Sequence, residues 1–260
     1  MWYSIKTVEK PSTLKEAVVS LKNIDTTLFS GGSYLVADKN PNIQSLIDIN
    51  DLVGDGVIAS IDGVHIDAGA TLQTFLDIVY SINPECRLLK GIKLSCPSKQ
   101  IRNQRTFGGE IGKGRPNSEV MLFLHAVNAD LTVFTDTERS VSIRDWDGSG
   151  IVTKISYFPK RISGIELERF SLLESAPAIV IVSGVKRKNQ FEFSVGGTTN
   201  KIQSFTCLIE DWSAEISKEF AGNAVKEFSA DHLGSLDYKE NFHLLRIPQI
   251  NMVSALYFLF

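Results

Sequence analysis

Two glycine-rich segments offer the residue types and spacing from which chemistry can be argued. The first is Phe29-Ser30-Gly31-Gly32-Ser33-Tyr34-Leu35. A strand ending in two glycines can turn sharply and expose successive N–H groups. Such a concave array binds a pyrophosphate through backbone dipoles, without lysine or arginine. The second is Gln100-Ile101-Arg102-Asn103-Gln104-Arg105-Thr106-Phe107-Gly108-Gly109-Glu110-Ile111. Its paired glycines allow backbone to approach a flat ring system closely. Either segment alone also reads as a plain turn, so they count together.

Other chemistries find less support. His65, His125, His232 and His243 are scattered, with no His-x-x-x-His and no neighbouring cysteine pair, so metal ligation is not indicated. No Gly-x-Ser-x-Gly elbow is present. Gly108 to Gly114 fails the Walker pattern, because Phe107 stands where the first glycine belongs and Gly114 where a Ser or Thr would hold magnesium. A strand–Gly-x-Gly-x-x-Gly–helix unit is also missing. Cys86, Cys96 and Cys207 cannot all pair and lack the spacing of an iron–sulfur site, so reduced cytoplasmic thiols are expected.

The chain has 260 residues, of which 43% are apolar and 22% charged, enough for a sizeable core. Its 27 Lys and Arg against 30 Asp and Glu give a net charge of −3, which argues against nucleic acid as a partner. No apolar window nears the ~20 residues that span a bilayer, and no secretion signal is read at Met1 to Lys6.

The elements that must position the two segments can be read from periodicity. Trp2 to Ile5 is a short apolar stretch and reads as the first element. Thr13 and Glu16 fit a capping box before a helix carrying Leu14, Ala17, Val18 and Leu21. Thr26 to Phe29 and Leu46 to Ile49 read as strands. Val57 to Ile61 and Val64 to Ala68 flank Asp62-Gly63, which predicts a hairpin with a two-residue turn. Thr71 introduces a helix through Leu72, Phe75, Leu76 and Val79, and a second covers Glu85 to Ile92. Lys99 to Gly114 shows little periodicity. Ser118 starts an apolar helix through Val120, Met121, Leu124 and Val127. Leu131 to Phe134, Val141 to Ile143 and Ile151 to Phe158 read as strands. Beyond residue 160, Ile165 to Phe170, Ala178 to Val185 and Gln190 to Val195 predict three successive strands. A helix at Ile216, Phe220, Ala224 and Phe228 and an apolar, mostly helical end from Tyr238 follow.

The segment Gln100 to Ile111 resembles Gln-Ile-Arg-Asn-x-x-Thr-Ile-Gly-Gly-Asn in the FAD-binding medium subunits of molybdenum hydroxylases, relatives of xanthine dehydrogenase and carbon monoxide dehydrogenase. Phe29 to Leu35 resembles their Ala-Gly-Gly-Thr-Asp-Leu loop. Ile66-Asp67-Ala68-Gly69-Ala70-Thr71-Leu72, Val195-Gly196-Gly197, and Leu233-Gly234-Ser235 with Tyr238-Lys239 resemble further motifs, all in family order. The short length and Gly-Gly-Glu are most similar to the purine-associated, selenium-dependent branch.

This resemblance implies an α+β architecture. A two-subdomain FAD-binding fold of the vanillyl-alcohol oxidase/MurB type would occupy 1–158, with subdomains of about 1–55 and 56–158. An α+β C-terminal domain with an antiparallel three-stranded sheet would occupy 159–260. Ser30, Gly31, Gly32, Ser33, Tyr34 and Leu35 would hold the pyrophosphate. Thr106, Gly108, Gly109, Glu110 and Ile111 would line the flavin and ribityl chain. Ser118 and Glu119 would lie near the adenosine half, Ile151 on the ring and Arg169 at the flavin edge. The implied partners are a molybdenum-cofactor subunit and an iron–sulfur subunit, with NAD or another acceptor taking the electrons. A homodimer is the expectation for the isolated chain. Two departures stand out: Tyr34 replaces Asp and Glu110 replaces Asn, with Lys113 as a counter-charge for Glu110. They keep two alternatives open, a free-standing FAD oxidoreductase and a scaffold subunit without flavin.

Overall fold

A computed structural model describes residues 2–82, 86–173, 176–228 and 235. The readings at His232, His243, Leu233-Gly234, Tyr238-Lys239 and the apolar end lie outside the described residues. The first sheet is built from β1 (Thr7–Glu9), α1 (Leu14–Ser20), β2 (Thr26–Phe29), α2 (Ser33–Asp38) and β3 (Ser45–Asp48). Its order is β1-β3-β2 with both pairings parallel, so each strand needs a helical crossover. Thr13 starts α1 by accepting from the Glu16 N–H at 3.2 Å. The Glu16 carboxylate accepts from the N–H of Ser12, one residue before the cap, at 2.8 Å. Trp2 to Ile5 is not a strand. The first strand begins at Thr7, and Trp2 donates its ring N–H to the Asn40 carbonyl at 3.1 Å.

The second sheet is antiparallel, in the order β4-β5-β8-β6-β7. It comprises β4 (Val57–Ala59), β5 (Val64–Asp67), then, after five helices, β6 (Asp130–Phe134), β7 (Glu138–Ser142) and β8 (Ile151–Tyr157). The hairpin forms, but with a four-residue connection rather than a two-residue turn. Ala59 faces Val64, the Ser60 N–H donates to the Gly63 carbonyl at 3.0 Å, and Asp62 and Gly63 avoid positive φ. The Ser60 hydroxyl, accepting from the Gly63 N–H at 3.3 Å, stabilises this wider turn.

The intervening helices are α3 (Leu72–Ile82), α4 (Arg87–Ser95), α5 (Lys99–Arg102), α6 (Phe107–Lys113) and α7 (Glu119–Ala126). Lys99 to Gly114 is therefore largely helical despite its weak periodicity. Ser98 caps α5 and Thr106 caps α6, while only Phe107 and Ile111, four apart, mark the buried apolar face of α6. The helix α7 is buried along almost its whole length. Phe123 and Leu124 pack into the large core, and Leu122 packs on Ala178 and Ile181 of the third layer.

That third layer holds β9 (Gly164–Phe170), β10 (Val180–Lys186), β11 (Gln190–Gly197), β12 (Gln203–Leu208) and α8 (Ala214–Val225). Its antiparallel order is β12-β11-β10-β9, four strands where three are expected. The added strand alternates, with Phe205 and Cys207 inward and Ser204 and Thr206 exposed. Phe220 of α8 stacks on Phe205, with ring centroids 4.7 Å apart.

A buried charge cluster ties this sheet to the C-terminal end of α7. Glu192 of β11 sits 2.7 Å from Arg144 and 2.6 Å from Arg187. Arg144 donates to the His125 and Ala126 carbonyls, and Arg187 to that of Val127. The two guanidinium groups thus serve carbonyls that a helix end leaves unpartnered. Burial pushes the Glu192 carboxyl up. Hydrogen bonds from Gln190 and Arg187 and the two arginine charges outweigh that and hold it below the usual value. Its stabilising contribution is present above the unfolded value of 4.5 and is lost as pH falls through the folded one. Glu192→Ala should lower the unfolding free energy by about 3–5 kcal/mol, because it strands two buried cations. In urea titrations Glu192→Gln should also weaken the acid sensitivity below that pH. A Glu192→Ala variant as stable as the parent would show that the clamp contributes nothing.

Candidate functional site

The strand β2 delivers the chain to Ser30, whose hydroxyl donates to Asn50 Oδ1 at 3.0 Å. Gly31 then touches the second segment directly: a Cβ there would lie 1.4 Å from the Gln104 carbonyl oxygen. Gly32 turns the chain with φ of +69°, which favours glycine, and opens α2 without a side-chain cap. The leading N–H groups of a helix have no partner within it.

The second segment is arranged differently. Phe107 N–H donates to Ala70 O at 3.0 Å, and Gly108 N–H to Ala68 O at 2.8 Å. Gly109 N–H donates to Thr106 Oγ1 at 3.1 Å, and Glu110 N–H to Thr106 O at 3.0 Å. These donors are used internally, so this segment presents bare backbone instead. Gly109 and Gly112, three apart, share a face of α6. A Cβ at Gly112 would meet nothing within 4 Å.

Both segments line one cleft of 790 Å³, near the top of the ~300–1,000 Å³ range of small-molecule and cofactor sites. Ser30, Gly31, Gly32, Ser33, Tyr34, Leu35, Thr106, Gly108, Gly109, Ile111 and Ile151 all lie on its wall. Glu110, Ser118, Glu119 and Arg169 do not line it. Glu119 is buried against Arg169, with Oε1 and Nε 2.7 Å apart, which joins the start of α7 to β9. Burial pushes the Glu119 carboxyl up while Arg169 opposes the shift.

The carboxylate of Glu110 is 1% exposed and points away from the cleft into a polar cluster. Tyr34 Oη donates to Oε1 at 2.7 Å, and Ser118 Oγ donates to Oε2 at 2.9 Å. Arg105 Nε lies 3.4 Å away and Arg115 Nη2 4.0 Å away. The two residues that depart from the family pattern are therefore bonded to each other. Lys113 does not neutralise Glu110: it pairs with Asp38 of α2, and the two arginines supply the counter-charge. Arg102, outside the cleft, donates to Gln73, Cys96 and Pro97.

Several lining residues escaped the motif reading, among them Trp2, Met121, His125, Arg144, Trp146 and the segment Asn200 to Ile202 from the third layer. They belong to no motif, and only the fold brings them together. Among the lining side chains Arg105, Lys113, Arg144 and Lys201 are cationic and Asp38 and Asp147 anionic, and each of those cations pairs with a carboxylate: Glu110, Asp38, Glu192 and Glu227 respectively. His125 Nδ1 is buried without a hydrogen-bond partner.

The family model described as the FAD binding domain in molybdopterin dehydrogenase matches residues 3–151, more than half of the chain. The chain belongs to this family, an oxidoreductase family whose cofactor is FAD. The fold is that of several solved structures. Carbon monoxide dehydrogenase from Hydrogenophaga pseudoflava, in a form lacking the Mo-pyranopterin moiety, aligns with a TM-score of 0.77 at 20% identity, covering 94% of this chain and 95% of that one. Quinoline 2-oxidoreductase from Pseudomonas putida 86 aligns with a TM-score of 0.73 at 15% identity, covering 94% of each. Reconstituted CO dehydrogenase from Oligotropha carboxidovorans aligns with a TM-score of 0.71 at 18% identity, covering 93% and 95%. No curated protein sequence matches the chain. The residues present fit FAD: the cleft offers a bare cradle at Gly112, two glycine segments in contact on its wall and a buried, unpartnered imidazole nitrogen. No helix among the described residues is long and apolar enough to cross a membrane.

Burial, and then the nearby Arg144 charge, lower the His125 pKa from 6.5 to about 4. The unfolded chain takes up this proton first. The stability due to neutral His125 is therefore complete above 6.5 and is lost as pH falls towards 4. His125→Gln should flatten the decline of urea stability across that window. A profile that keeps the parent's slope would assign the acid sensitivity to other groups.

Proposed function

We propose that this chain is the FAD-carrying electron-transfer subunit of a molybdenum hydroxylase complex. It takes electrons from an iron–sulfur subunit, which receives them from a molybdenum-cofactor subunit, and passes them to NAD or another acceptor. The observation that carries the reading is that two glycine segments some seventy residues apart in sequence meet at Gly31 and Gln104 and line one cleft. FAD, when bound, supplies the redox chemistry, and the chain binds and orients it and tunes its electrostatics.

In this reading the backbone of Ser30 to Leu35 holds the pyrophosphate. Thr106, Gly108, Gly109 and Ile111 form the wall against the flavin and ribityl chain, with Ile151 packing on the ring. Glu110, Ser118, Glu119 and Arg169 act from behind, by fixing the elements that carry that wall. Residues 1–158 form the flavin unit. Residues 159–260 form the C-terminal domain, which contributes Asn200 to Ile202 to the cleft. The buried, free thiols of Cys86, Cys96 and Cys207 suit a reducing cytoplasm. A purine-like heterocycle as the substrate of the whole complex rests on the short length and the Gly-Gly-Glu variant. The flavin-less alternative loses its motive, because Glu110 is turned away from the cleft and neutralised.

The test is the absorption spectrum of the full chain after incubation with FAD and gel filtration. Flavin bands near ~375 and ~450 nm should travel with the protein. Gly112→Leu, which fills the cradle from a position where a Cβ meets no protein atom within 4 Å, should lose the bands and keep its thermal midpoint. A wild-type chain that emerges colourless would contradict the proposal.

A further inference from the structure

The helix α2 starts within the first glycine segment and α6 contains the glycines of the second, so their separation sets the spacing of the two cleft walls. Two polar contacts join them. Lys113 and Asp38 pair at the surface, where solvent screens them. Tyr34 and Glu110 pair out of water. The Tyr34 hydroxyl crosses from α2 to the Glu110 carboxylate on α6 at 2.7 Å. That carboxylate also accepts from Ser118, the cap of α7, and faces Arg105 and Arg115. The same two guanidinium groups lie over the Tyr34 ring, with their central carbons 4.2 Å and 4.5 Å from its centroid. The Tyr34 ring and hydroxyl are thus held by three groups that do not belong to its own helix. Burial and the adjacent Glu110 charge push the Tyr34 hydroxyl well above its ordinary range, so it stays protonated and can donate.

From this geometry we infer that Tyr34 and Glu110 form a latch between the two glycine segments, acting as positioning residues that fix the width of the cofactor cleft. The inference rests on the FAD reading above. A ligand that touches both walls gains from their being held at the right distance before it arrives. Removing either partner leaves α2 and α6 joined only by the solvent-screened Lys113–Asp38 pair, while the rest of the fold is held elsewhere.

The test is FAD affinity of the full chain, followed by quenching of flavin or tryptophan fluorescence, since Trp2 and Trp146 line the cleft. Tyr34→Phe keeps the ring between the guanidinium groups and removes only the hydroxyl. Glu110→Gln keeps the shape and removes the charge. Each should weaken FAD binding about tenfold, and the double variant should lose less than the product of the two singles, because both act on the shared Tyr34–Glu110 contact. Tyr34→Asp alone removes the ring from between the guanidinium groups and adds a second carboxylate to the cluster, and should weaken binding about a hundredfold. Adding Glu110→Asn to it should recover at least tenfold, a rescue that general destabilisation would not give. Single-variant losses that simply multiply in the double, or no rescue by the Asp/Asn pair, would overturn the latch. Variants binding as tightly as the parent would do the same and leave the FAD reading intact. A parent chain that binds no FAD would overturn both.

Discussion

The site depends on one buried carboxylate. Glu110 lies within a helix whose outer face is glycine, yet its side chain turns inward and becomes the point where α2, the chain entering α6 and the α6–α7 connection meet. An ionised carboxylate in that setting is costly unless it is paired and fully hydrogen-bonded. Two hydroxyls and two guanidinium groups supply the pairing: Tyr34 from α2, Arg105 from the residues just before α6, and Arg115 and Ser118 from the connection between α6 and α7. Satisfying Glu110 therefore brings α2, α6, the start of α7 and both glycine segments to fixed positions.

The third layer is coupled to the same site by a second buried charge. Glu192 draws Arg144 and Arg187 onto the end of α7, and Arg144 with His125 also lines the cleft. At the other end of that helix, Glu119 and Arg169 make a corresponding link to β9. The helix is thus pinned at both ends to the third sheet by ion pairs, while its apolar faces fill two cores. This arrangement explains how Asn200 to Ile202, far from the glycine segments in sequence, reach the same cleft.

Much of the fold was legible because local rules and tertiary packing agree. The Thr13, Thr71 and Ser118 caps all mark real helix starts, and the strands from Thr26 to Gln190 fall close to their expected places. The glycine segments were legible as a pair because glycine is needed there for contact and for positive φ. Lys99 to Gly114 misled because short capped helices with glycine on the outer face carry little periodicity. The strand β12 was overlooked although Phe205 and Cys207 alternate with polar neighbours. The partners of Glu110, and the opposed charges of Glu119 and Arg169, were not legible. Long-range ion pairing depends on which segments the fold brings together, and spacing along one chain does not encode it.

The central claim is that the two glycine segments form one cofactor site. Amide hydrogen exchange of the full chain, with and without FAD, tests it most directly, because exchange reports opening segment by segment. The account predicts that segments 30–36 and 106–114 gain protection together at the same FAD concentration, while β9 and β12, the outer strands of the third sheet, stay unchanged. Protection confined to one of the two segments, or appearing only elsewhere in the chain, would contradict it.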